Sequence, residues 1–97
     1  MENGIEIADI VQSVAGRDRG KHFFVMELRD DYALLADGKL RKIEKPKNKK
    51  LKHMCLSAKS DARVAEKIRG GGKVLNSEIR KALAEYASSA AHDEGGT

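Results

Sequence analysis

The sequence predicts a mainly β protein, a small five-stranded antiparallel barrel followed by a C-terminal helical extension. Two observations carry this reading. Five short strand-like runs, the last ending at Leu56, are joined by brief turn signals. Beyond them the pattern changes to helical spacing, with a run of three glycines between two helical stretches.

Each element follows from its residues. Ile5 to Val14 mixes apolar and polar residues with β-branched ones, which suits a first strand. Gly16 to Lys21 is a turn by composition. Phe23 to Leu28 is apolar on both faces and reads as a second strand covered from both sides. Arg29-Asp30-Asp31 forms a tight turn into a third strand, Tyr32 to Ala36. Asp37-Gly38 is a hairpin signal, because a type I′ turn needs positive φ at both central positions. The hairpin leads to a fourth strand, Lys39 to Ile43. Pro46 marks an exposed, extended or turning linker, EKPKNKK. Leu51 to Leu56 is the fifth strand, with Leu51, His53 and Cys55 on one face and Lys52, Met54 and Leu56 on the other.

The barrel therefore spans residues 1–58, the helical extension 59–90 and a disordered polar tail 91–97. Ser60-Asp61 can cap a short helix from Asp61 to Ile68, with Val64 and Ile68 on one side. Arg69-Gly70-Gly71-Gly72-Lys73 breaks it. That run reads as a flexible connector, or else as a phosphate cradle, although no GK[ST] follows it as a P-loop requires. Asn76 or Ser77 then caps a helix reaching about Ser88, whose Ile79, Leu83 and Tyr86 form an apolar stripe.

Composition narrows the function classes. Ninety-seven residues imply one domain with a modest core. Charged residues are 35% of the chain, above the usual quarter, and the surplus is cationic at +4. Residues 1–60 hold 13 Lys/Arg against 9 Asp/Glu, and residues 61–97 hold 6 of each, so the surplus lies in the strand-rich part. Lys39 to His53 carries eight Lys/Arg and one acid, Glu44. No apolar run approaches a membrane span, and the acidic start, MENGIEIADI, lacks the basic and apolar regions of a signal peptide. A cytoplasmic protein without a membrane partner is expected.

No enzyme constellation emerges, and neither a cofactor nor a small-molecule substrate is expected. Cys55 is the single cysteine, so it reads as a small core hydrophobe rather than a disulfide, zinc ligand or nucleophile. His22, His53 and His92 lack ligand spacing. Asp9, Asp18, Asp30, Asp31 and Asp37 fall mostly at turns, where Asp supports local backbone bonding, and Asp30-Asp31 reads as solvated rather than metal-binding.

The basic residues carry the candidate site. Gly16, Arg17, Arg19, Gly20 and Lys21 make a glycine-rich cationic loop, in which glycine lets the backbone turn and approach a ligand. Lys39, Arg41, Lys42, Lys45, Lys47, Lys49, Lys50 and Lys52 make a second basic segment. If the fold brings the two together, they form one cationic surface suited to phosphate. Phe23, Phe24, Tyr32 and Tyr86 are the only aromatics, too few outside a core for a stacking platform. Readout of RNA backbone and shape is therefore expected rather than stacked single-stranded bases.

Ala8 to Leu35 resembles the KOW motif through Val11, Val14, Gly16, Arg19-Gly20, Val25 and Leu28. It departs from the common pattern at Phe23 and Phe24, where a glycine is frequent. AGRDRGK, LLADGKLRK and KPKNKKLKH, taken in order, resemble more closely the small bacterial KOW-domain RNA-binding proteins. Those are similar to large-subunit ribosomal proteins of the archaeal and eukaryotic type. The resemblance covers roughly residues 6–56, with the helix Asn76 to Leu83 as a further match. It implies an SH3-like barrel that binds RNA, ribosomal RNA above all, or ribosomal proteins, in translation or ribosome assembly. The rival expectation is a protein-interaction module that docks through the barrel or the C-terminal helix.

Overall fold

The computed structural model describes residues 4–60 and 62–95, with side chains as far as residue 89. Asp61, one of the two expected caps of the first helix, and the end of the expected disordered tail lie outside the described residues. The chain forms a five-stranded antiparallel sheet with two helices. The strands are β1 (Ile10–Ser13), β2 (His22–Arg29), β3 (Tyr32–Ala36), β4 (Lys47–Lys50) and β5 (Met54–Ala58), in the order β4-β3-β2-β1-β5. The helices are α1 (Arg63–Gly70) and α2 (Asn76–Gly95).

β4 and β5 are opposite edges of the sheet, yet only a 3-10 turn, Leu51–His53, separates them. Three residues at ~2 Å rise each span about 6 Å, so the sheet must curl to bring its edges together at that end. Backbone bonds fix the junction: Leu51 N–H donates to Asp31 O at 2.9 Å and Val14 N–H to His53 O at 2.9 Å. The curl encloses one face. Val11, Phe23, Val25, Ala33, Leu35 and Met54 bury there with Ile5. The other face carries Ile10 and Phe24 and is covered by Val64, Ala65 and Ile79 from the helices. Ile79 is fully buried, and Leu83 and Tyr86 pack beside it, so the apolar stripe of α2 docks on the sheet. Tyr86 also meets the His22 ring edge-on at 5.5 Å.

The fourth strand is a correction. Lys39 to Ile43 forms no strand, and β4 is Lys47–Lys50 instead. Asp37 diverts the chain. Its Oδ1 accepts the amides of Lys39 and Arg41 at 2.8 Å each, while the Asp37 and Gly38 amides both donate to Arg41 O. These local bonds use the backbone groups that a ladder would need. Gly38 has φ +76° but Asp37 does not share the left-handed region, so the type I′ turn does not form. The loop docks on α2 instead: Asn76 Oδ1 accepts the Ile43 amide at 2.8 Å, and Arg80 donates to Gly38 O at 2.6 Å.

Other differences are smaller. Asn76 is spent on this loop, and Glu78 reaches back to the Leu75 amide at 2.9 Å, as the third residue of a capping box does. Helix α2 continues past Ser88 to Gly95. The three-glycine run is an ordered helix stop: Gly71 is left-handed, and the Gly72 amide donates to Lys67 O at 2.8 Å. Cys55 is exposed rather than in the core, because the 3-10 turn shifts the start of β5 and gives the buried position to Met54.

Gly38 is the glycine whose lack of a side chain matters most. A Cβ built there lies 2.4 Å from the Asn76 carbonyl oxygen, in backbone that side chains rarely adopt. Gly38→Ala is expected to cost about 2–4 kcal/mol from left-handed strain plus overpacking against α2. Denaturant unfolding checks this, and an unchanged midpoint would show that the loop does not press on the helix.

Candidate nucleic-acid interface

The glycine-rich loop joins β1 to β2. Gly16 and Gly20 take φ +82° and +88°, as their reading as turning points requires. The loop is closed by backbone bonds: Ser13 N–H to Lys21 O at 2.9 Å, and Gly20 N–H to Ser13 O at 2.8 Å. Arg17, Arg19 and Lys21 are thereby held on an exposed turn.

Asp18 connects this turn to β4. Its side chain is 12% exposed. Oδ1 accepts the Ser13 hydroxyl at 2.9 Å and Lys49 Nζ at 3.2 Å, and Lys47 Nζ lies 3.4 Å from Oδ2. Lys49 also donates to Ala15 O at 3.0 Å. The strand register explains the geometry. Lys47 pairs with Leu35 and Lys49 with Ala33, so both lysines point to the enclosed face, while Asn48 and Lys50 point away. At an edge strand, inward lysines need an anion, and Asp18 supplies it. Burial pushes the Asp18 carboxyl up. The Ser13 hydroxyl and the two lysines outweigh it and hold the group below its usual range.

This tie creates a groove of about 420 Å³. Gly16, Arg17, Lys21, Arg41, Lys47 and Lys49 line it, so the structure brings together residues from both basic segments. Its other walls are Asp18, Asp37, Leu40 and Phe23. Arg19, Gly20, Lys39, Lys42, Lys45, Lys50 and Lys52 do not line it. All seven are exposed. Among the described residues, the charged ends of Arg17, Lys21 and Arg41 have no partner. Lys49 is different: it is a strut of the fold rather than a free cation.

The sequence reading missed Asp18, Asp37 and Leu40 as parts of this site. An acid flanked by two arginines, as in Arg17-Asp18-Arg19, was the available signal for an internal counter-ion. Phe23 and Phe24 are both fully buried, on opposite faces, and Tyr32 and Tyr86 are half-buried. Neither phenylalanine offers an exposed stacking face. Among the described residues no three His, Cys, Asp or Glu side chains gather as a metal site, and no helix is long and apolar enough to cross a membrane.

Asp18→Asn is expected to lower stability by about 2 kcal/mol near neutral pH, because Lys49 stays buried without its counter-charge. A carboxyl held low contributes stability that is complete above its unfolded-state value, near 4, and is lost as pH falls through its folded value. The gap between wild type and variant should therefore close in acid, as followed by denaturant unfolding at several pH values. A gap independent of pH would remove the carboxylate from this role. Neither a protein-family model nor a curated protein matches this chain, so the reading of the groove rests on its own geometry.

Proposed function

We propose that this is a non-enzymatic, cytoplasmic RNA-binding protein whose target is ribosomal RNA or a ribosome-associated RNA, acting in translation or ribosome assembly. The observation that carries the proposal is the groove. Three unpartnered cations from two separate segments, Arg17, Lys21 and Arg41, converge on one concave surface that a buried ion pair holds in shape. Guanidinium groups without a protein partner suit phosphate oxygens. The KOW-like pattern points the same way, and with it goes the finer fold reading, a partly open SH3-like barrel. Support for that reading is the short link between opposite sheet edges.

The rival reading, docking of a protein through the C-terminal helix, has less to stand on. The stripe it would use packs against the chain's own sheet. Docking through the curled sheet keeps its surface, and the salt response separates it from the main proposal.

With about four phosphates neutralised, log K for a duplex-like RNA should fall against log salt with a slope near −3 to −4. Filter binding or fluorescence anisotropy measures it, and an affinity that stays flat with salt would sink the proposal. Replacing Arg17, Lys21 and Arg41 together by Glu should weaken RNA binding by about 100-fold or more. Far-UV circular dichroism should be unaffected, because these side chains hold nothing in the fold. RNA binding that survives the triple reversal would place the interface elsewhere.

A further inference from the structure

Three walls of the groove are not what phosphate alone requires. Leu40 lies at its side and is 72% exposed, the most exposed of the large apolar side chains. Two carboxylates line it: Asp18, already paired with Lys47 and Lys49, and Asp37, which among the described residues has no cation partner and whose charge opposes a phosphate. Asp37 gives Oδ1 to two amides, while among the described residues Oδ2 accepts no bond. A ligand made only of phosphates, such as polyphosphate, gains nothing from Leu40 and is opposed by Asp37. At about 420 Å³ the groove has the size of a small-ligand site, roughly 300–1,000 Å³. A duplex can lay its phosphates against the cations at the rim of such a concavity but cannot place a paired, stacked base inside it.

We infer that the groove takes one unstacked nucleotide, such as a single-residue bulge in an RNA stem. This rests on the RNA-binding reading and sharpens it. The phosphate of that nucleotide sits on Arg17, Lys21 and Arg41. Its base lies against Leu40, which offers an exposed aliphatic face in a groove where the ring of Phe23 is buried. A donor of the base or the ribose meets Oδ2 of Asp37. A purely backbone reader has no use for Leu40 or for a free carboxylate oxygen, whereas a nucleotide presents an anion, an apolar face and hydrogen-bond donors together.

The test is fluorescence anisotropy with three RNA hairpins at one salt concentration. One is fully paired, one carries a single-nucleotide bulge, and one carries an abasic residue at the bulge. The bulged hairpin should bind about tenfold tighter than the paired one, the scale expected when one base buries apolar surface against Leu40. The abasic hairpin should lose that advantage. Leu40→Ala should bring the bulged hairpin down towards the paired one, and circular dichroism should show an intact fold, since Leu40 buries little. Equal, salt-dependent binding of all three hairpins would overturn the nucleotide site while leaving RNA binding standing. Equal binding of the bulged and abasic forms would also overturn it, because the base would then go unread. Failure of every hairpin to bind would overturn the RNA reading itself.

Discussion

One carboxylate holds the two cationic segments of this molecule together. Asp18 sits where three donors converge: the Ser13 hydroxyl, Lys49 Nζ and, slightly further off, Lys47 Nζ. The arrangement is mutual. β4 contains no apolar residue, and its pairing with β3 turns two of its lysines to the enclosed face. Buried ammonium groups are tolerable only beside an anion, and a buried carboxylate only beside cations or donors. The loop and the strand thus satisfy each other, and the groove between them is the space this contact leaves. The same inward lysines, with Pro46 just ahead of them, make β4 a poor template for another strand, which edge strands generally need.

The groove separates two uses of positive charge that composition cannot distinguish. Lys49, 9% exposed, is structural. Arg17, Lys21 and Arg41 are exposed and, among the described residues, have no partner for their charged ends. A ligand that meets them displaces only water and counter-ions. Lys47 stands between, close enough to Asp18 to be attracted and open enough, at 25%, to reach a ligand. The groove gathers five cations against two acids, and one of those acids, Asp18, is already paired with Lys47 and Lys49.

Much of the sheet was legible because its central strands obey simple rules. FFVMEL is apolar on both sides because both sides are covered, and the Asp30-Asp31 turn joins strands whose ladder closes at Arg29 and Tyr32. The fourth strand was not legible. KNKK pairs because its neighbour offers a free edge and Asp18 offers a counter-charge, neither of which leaves a periodic trace. LADGKLRK has turn and strand character, yet the Asp37 side chain captures its amides and α2 captures its backbone, a tertiary effect beyond any local window. Cys55 was misplaced for a related reason, a 3-10 turn that resets the alternation of the following strand. Of the groove lining, Gly16 and all five cations could be read directly. The acids could not, because their role depends on which lysines the fold brings to them.

The paired phenylalanines link two parts of the molecule. Phe23 faces the enclosed core and forms part of the groove floor, while Phe24 faces the helices. The wall between them is one strand thick. Val64, Ala65 and Ile79 press on one side of the backbone that lines the groove on the other. The helical segment therefore backs the strand that lines the groove rather than hanging from the sheet as an appendage. Loosening it would let β2 shift beneath the groove, so the groove's shape is set in part by residues that do not line it.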